Sequence, residues 1–172
     1  VHYELARAAL LAGRHVVVDK PFVVTAAEAE ELIGLASQHD RHLTVFHQRR
    51  WDSDFLTVQR CVHDGLLGQV STYLARYDRF RLDLGIQDQP GAGVLYDLGS
   101  HLIDQALHLF GLPESVLADV VAQRPGAVVD DYFHLVLRYG QLRVILHAGS
   151  LVRAPGPRFE VHGDKGSFVS RG

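Results

Sequence analysis

The feature that most constrains this chain is a change of rhythm near residue 50. Up to Gln48, helical and strand-like stretches alternate. Tyr3 to Leu11 reads as a helix with Leu5, Ala8, Ala9 and Ala12 on its inner side, stopped by Gly13. His15-Val-Val-Val18 is a β-branched run of the kind found in buried strands, and it ends abruptly in Asp19-Lys20-Pro21. Thr25-Ala-Ala-Glu28 has the form of a capping box. The helix it opens runs to about His39, with Ala29, Leu32, Ile33 and Ala36 inward. Leu43 to His47 is a second strand, leading into the basic, aromatic turn Gln48-Arg-Arg-Trp-Asp52. Strands alternating with helices predict a parallel sheet whose ligands gather at the carboxyl ends of the strands, here Lys20 and His47-Gln48.

The second rhythm differs. Ser53 to His63 reads as a helix closed by Gly65, and Gln69 to Phe80 as a long strand, with a polar, glycine-bearing loop from Arg81 to Gly93. Beyond Pro113, strands follow one another with no helix between them: Ser115 to Gln123, Asp131 to Tyr139, Leu142 to Ala148, Arg158 to His162 and Ser167 to Ser170. Gly140-Gln141 reads as a two-residue hairpin turn and Gly163-Asp-Lys-Gly166 as another tight reversal. Such a run predicts an open, mainly antiparallel or mixed sheet in an α+β unit. One face should pack on helices and the other should be largely apolar, hence an interface. Residues 1–50 and 51–172 therefore read as two domains.

Candidate chemistry lies on the helix from Val94 to Phe110 and at the end of the first strand. From Val94 to Phe110, Leu95, Leu98, Leu102, Ala106 and Leu109 recur at the spacing of one buried helix face. Asp97, His101, Asp104 and His108 form a second stripe. Asp97 and His101 then lie one turn apart, where a carboxylate can hold an imidazole, and a His so held is suited to acid/base work near neutral pH. The residues equally fit a satisfied polar pair on a half-exposed helix, or a metal site made of Asp97, His101 and Asp104. Lys20, at the end of a strand before a proline, is either a snorkelling surface residue or a cation aimed into a ligand crevice. No nucleophile elbow, phosphate-binding loop or zinc pair occurs. Gly91-Ala-Gly93 is no dinucleotide fingerprint, since Tyr96 stands where the third glycine would.

Composition narrows the classes further. The 172 residues are 47% hydrophobic and 22% charged, enough to bury a core. A net charge of −3 offers no electrostatic case for nucleic acid or a membrane surface. The single cysteine, Cys61, excludes an internal disulfide framework and fits a reducing compartment. No apolar run approaches the roughly 20 residues of a membrane span, and no signal peptide opens the chain. The eleven histidines are scattered. Both ends read as cut: the sequence opens inside a helical pattern, contains no methionine, and closes within a strand.

Several stretches together resemble the glucose–fructose oxidoreductase/inositol dehydrogenase (Gfo/Idh/MocA) family: His2-Tyr-Glu, Ala12-Gly-Arg-His-Val-Val-Val-Asp-Lys-Pro21, Gly65-Leu-Leu-Gly68 and Gly91 through His101. Phe46 to Asp52 and Val129-Asp-Asp-Tyr-Phe-His134 look most like the branch of NADP-preferring scyllo-inositol dehydrogenases. The resemblance implies an α/β protein: the C-terminal part of a Rossmann parallel sheet followed by an α+β substrate and oligomerisation domain. It implies a cytoplasmic oxidoreductase using NADP or NAD on a polyol or sugar hydroxyl, as a homodimer or higher homo-oligomer. Lys20, Asp97 and His101 look like its catalytic lysine, aspartate and histidine, and Asp19, Lys20 and Gln48 match positions that approach the cofactor. A non-catalytic sugar- or cofactor-binding module, or an assembly unit, is the alternative the fold allows. Two features depart from the family. The first strand and the G-x-G-x-x-G turn that holds the pyrophosphate are not in this chain. The Trp-Arg pair usual before the glycines is missing from Leu82 to Pro90. The expectation is that this polypeptide alone turns over nothing and is prone to aggregate along an unpaired strand edge.

Overall fold

The computed structural model describes residues 1–85 and 91–171, and divides into two compact units, Val1–Gln48 and Arg49–Gly172.

The first unit runs α1 (His2–Leu11), β1 (Val16–Asp19), α2 (Ala26–Gln38) and β2 (Leu43–Phe46). The two strands pair in parallel, from Val16 opposite Leu43 to Asp19 opposite Phe46. Gly13 ends α1 in the left-handed region, φ 70°, and its carbonyl accepts Arg41 Nε at 2.7 Å. Thr25 caps α2 as the sequence predicts: its Oγ1 accepts from the Glu28 amide, and the Glu28 carboxylate reaches back to the Thr25 amide.

The inner faces differ from expectation. Ala6 and Leu10, not Leu5, Ala8, Ala9 and Ala12, are buried on α1, and Leu5 is 66% exposed. Tyr3 and Arg7 both bind the Glu31 carboxylate on α2, at 2.6 and 2.8 Å. That polar anchor turns the neighbouring Ala6–Leu10 stripe inward. On α2, Leu32 and Ala36 are buried as predicted, but Ile33 is exposed. In β1 only Val18 is buried, while Val17 is 70% exposed, because alternate side chains of a strand point to opposite faces.

The second unit holds the large core. A 3₁₀ turn (Gln48–Trp51) leads into α3 (Ser53–His63), closed by Gly65 at φ 67°. Then come β3 (Val70–Asp78), a π turn (Leu95–Gly99), α4 (Ser100–Phe110), β4 (Ser115–Val121), β5 (Tyr132–Tyr139), β6 (Leu142–Gly149), β7 (Phe159–Gly163) and β8 (Ser167–Ser170). These strands form one six-stranded sheet in the order β4-β5-β6-β3-β7-β8. Only β3 and β6 pair in parallel, so the sheet is mixed as predicted. What sequence reading missed is that β3 inserts between β6 and β7. Of the expected loop Arg81 to Gly93, residues 86–90 lie outside the described residues.

One face of the sheet packs on α3, α4 and the π turn. Tyr73, Ala75, Phe133, Leu135, Val144, Leu146, Phe159 and Val161 meet Phe55, Val58, Leu98, Leu102 and Ala106 in one cluster. The other face is not largely apolar, contrary to expectation. Its apolar side chains are few: Leu117, Val136, Ile145 and Leu74 form one row across four strands, with Val121 and Val169 on the edge strands. The adjacent row reads Asp119, His134, His147 and Arg76. The His147 imidazole lies 3.1 Å from Asp78, and Arg76 pairs with Glu160 at 2.6 Å. Edge strand β4 is exposed throughout, Leu117 at 64%.

Candidate active site

The stretch from Val94 to Phe110 is helical, but not as one α-helix. Its first turn, Leu95–Gly99, is π-helical, and only from Ser100 is the helix α. The wider i→i+5 turn changes which side chains share a face, a distortion common at functional sites. Asp97 is on an exposed position of that turn. His101, one turn on, is 3% exposed and sits on the buried side of α4 with Leu102, Gln105 and Ala106. The expected single stripe of Asp97, His101, Asp104 and His108 therefore splits. Asp104 gives both oxygens to Arg50, at 2.5 and 2.8 Å, and holds that guanidinium above its ordinary pKa mainly by this hydrogen bond. Asp104 is thus committed to an arginine, which removes it from a metal site with Asp97 and His101. Among the described residues no group of three potential ligands is placed to hold a metal. His108 contacts Gln59 at 3.0 Å and the Phe55 ring.

Asp97 opens onto a cleft of about 320 Å³ between the π turn, the end of β3 and the loop after β6. Its walls include Tyr77, Arg79, Arg81, Leu98, Arg124 and Ser150. Main-chain bonds from Arg79 to the Gly149 carbonyl and from Arg81 to the Ser150 carbonyl fix one wall, at 2.9 and 2.8 Å. Tyr77 is stacked under the Arg158 guanidinium, 3.7 Å from the ring centre. Burial raises its phenol above the ordinary value of 10.0, so it stays protonated and able to donate a hydrogen bond. Apart from Asp97 and Leu98, none of these residues is marked by helical spacing or by a motif. Tyr77, Arg79 and Arg81 follow one another at every second position of an extended segment, and that alternation was the only available signal.

Lys20, Asp19 and Gln48 belong to the first unit. Because Asp19 pairs with Phe46 in parallel, Asp19-Lys20 and His47-Gln48 leave the sheet from the same edge, the carboxyl ends of both strands. The Asp19 carboxylate accepts the Lys20 amide at 2.8 Å, and the Lys20–Pro21 peptide is cis. Asp19 is exposed and Lys20 and Gln48 are half-buried. Such an edge is where an α/β sheet receives a ligand.

A short parallel α/β unit followed by a mixed-sheet α+β unit, whose cleft is lined by arginines and aspartates alike, defines a fold class, the two-unit α/β proteins. Sequence comparison makes the class specific. Residues 55–169 match the family described as "GFO/IDH/MocA C-terminal domain", and residues 1–47 match "Oxidoreductase family, NAD-binding Rossmann fold". The chain belongs to the Gfo/Idh/MocA family. It is 51% identical to the uncharacterized oxidoreductase YdgJ of Escherichia coli (strain K12), over 99% of this chain and 51% of that protein. It is 47% identical to the scyllo-inositol 2-dehydrogenase (NADP(+)) IolW of Bacillus subtilis (strain 168), over 100% of this chain and 49% of that protein. The crystal structure of an oxidoreductase from Bacillus cereus superposes with a TM-score of 0.92 at 38% identity, covering 99% of this chain and 49% of that one. The chain spans about half the length of the curated relatives it matches.

Proposed function

We propose that this chain is part of an NAD(P)-dependent dehydrogenase acting on a hydroxyl group of a polyol or sugar of the inositol class. In this reading residues 1–50 complete a nucleotide-binding domain and residues 51–172 form the substrate and oligomerisation domain. The observation that carries it is Asp97 on a π turn at the cleft, leading within one turn to His101. Its relative IolW is a scyllo-inositol dehydrogenase using NADP(+).

The residues present fit the nicotinamide end of such a cofactor, because the carboxyl ends of β1 and β2 bring Asp19, Lys20 and Gln48 to one edge. When bound, the nicotinamide supplies a hydride acceptor. The chain does the remaining work. His101 takes the proton from the substrate hydroxyl, and Asp97 stabilises the imidazolium so formed. Lys20 donates a charge-assisted hydrogen bond to the oxygen that becomes alkoxide-like.

The homo-oligomer reading rests on the apolar row Leu117, Val136, Ile145 and Leu74 beside the exposed edge strand. Light scattering that finds a monomer at high concentration counts against it. A cytoplasmic setting rests on one free, half-buried cysteine, Cys61.

The test is turnover on a polyol panel with NADP and NAD, by protein extended upstream through a G-x-G-x-x-G turn. Lys20→Ala and His101→Ala should each lower kcat by at least about 100-fold, the lower range for a positioned acid/base group. Binding of polyol without turnover by the unsubstituted protein would instead identify a non-catalytic sugar-binding module. Calorimetric titration with NADP should show binding to the extended protein and none to residues 1–172 alone.

A further inference from the structure

Val129-Asp-Asp-Tyr-Phe-His134 precedes and enters β5, well away in sequence from the helix it serves. Its two adjacent carboxylates face different partners, as neighbouring side chains of an extended segment must. Asp130 meets the start of the π turn. Its carbonyl accepts the Val94 amide at 3.0 Å and its carboxylate accepts the Leu95 amide at 2.7 Å. These are donors that a helix start leaves without internal partners, and no side chain local to the turn caps them. The carboxylate occupies the space over Gly93 so closely that a Cβ there would lie 1.7 Å from Oδ1. Gly93 is therefore the residue that admits the cap.

Asp131 turns the other way. It is fully buried, and accepts the amides of Gln123 and Arg124 and the Arg124 Nε, at 2.7, 3.0 and 2.7 Å. Arg124, itself buried, uses its remaining NH1 on the carbonyls of Arg81 and Asp83, which form a wall of the cleft. The Asp131 carbonyl also accepts the amide of Ser150 on the same cleft, at 3.0 Å.

We propose that Asp130 and Asp131 are the positioning residues of this cleft: Asp130 sets the π turn that presents Asp97, and Asp131, through Arg124, sets the wall at Arg81–Asp83. The inference rests on the dehydrogenase reading, and it predicts that the two neighbours act on different kinetic constants. Moving Asp97 alters the chemical step, whereas loosening the Arg81–Asp83 wall alters substrate binding.

In the upstream-extended protein, Asp130→Ala should lower kcat on the order of 100-fold with KM little changed, the scale of a misplaced catalytic group. Asp130→Asn keeps an acceptor for the Leu95 amide and should recover most of that loss. Gly93→Ala, which expels the Asp130 carboxylate, should behave like Asp130→Ala. The paired change Asp131→Asn with Arg124→Gln removes both buried charges together and so avoids an unpaired one. It should raise KM about tenfold, the loss of one to two hydrogen bonds' worth of wall, with kcat retained. Amide hydrogen exchange supplies a readout independent of turnover. Asp130→Ala should deprotect Leu95 but not the amides at 123 and 124, whereas the paired change, which leaves one acceptor oxygen at position 131 for those two amides, should deprotect one of them and not Leu95. If exchange follows this pattern while the unsubstituted protein oxidises no polyol, the positioning by Asp130 and Asp131 stands and the dehydrogenase reading falls. If exchange is unchanged, or if all variants lower kcat and KM alike, the proposal is wrong.

Discussion

The two units follow the same local rules and differ in what those rules can bury. In the first, Ala6, Leu10, Val18, Leu32 and Ala36 make the entire fully buried core. In the second, sixteen buried side chains among the described residues form one cluster over a six-stranded sheet. The first unit has better-marked elements, with a complete capping box on α2 and a β-branched run in β1. Yet it leaves Leu5, Val17, Ile33 and Phe46 more than half exposed. Clear secondary-structure signals do not guarantee a self-sufficient core. A two-stranded parallel sheet with a helix layer removes little apolar area from water, and below about 60 residues that area is marginal against chain entropy.

The comparison breaks most completely if the units are separated. Residues 49–172 alone should unfold in urea in one cooperative transition, while residues 1–48 alone should show no sigmoidal transition by circular dichroism. A cooperative transition from the short piece would overturn the contrast.

Core truncation is the next largest effect. Phe133 is fully buried in the second unit, and Phe133→Ala should cost about 3–5 kcal/mol in its urea unfolding. Leu32→Ala, in the small core, should leave that transition where it is. A smaller change sharpens the contrast from the other side. Thr25→Ala removes the acceptor of the Glu28 amide and should cost α2 about 1 kcal/mol, read as faster exchange of its first-turn amides, with the second unit unaffected.

The least effect is expected from pH, and it is followed in the urea transition of the second unit. Burial, with the adjacent His147, holds the His134 imidazole below its ordinary value of 6.5. Burial alone would raise the Asp131 carboxyl, but hydrogen bonds from Gln123 and Arg124 keep it below its ordinary 3.8. A group whose folded pKa is depressed contributes stability that is present above its unfolded pKa and lost as pH falls through the folded one. Urea midpoints should thus be flat above pH 7 and decline on acidification below about 6.5, the imidazole's ordinary value. His134→Gln should flatten the first part of that decline, leaving the part at lower pH to Asp131. Identical profiles for the two proteins would show that His134 contributes nothing.

Much of the molecule is local chemistry and was therefore legible from residues alone. A helix begins at Thr25 because Thr and Glu three residues apart satisfy each other's amides. β5 and β6 join at Gly140-Gln141 because a glycine with φ 54° suits a two-residue reversal. The change from alternating to successive strands announced two kinds of sheet, and Asp97 and His101 stood out by spacing. Their true relation did not. The turn bearing Asp97 is π-helical, and its cap, Asp130, comes from 35 residues further along the chain. The Ala6–Leu10 face of α1 depends on Glu31 of another helix. The insertion of β3 between β6 and β7 depends on partners more than 60 residues away. Periodicity and capping act over a few residues, so they select elements. Which face is buried, which turn is π-helical and which side chains meet in a cleft depend on groups distant in sequence, and only packing brings those together.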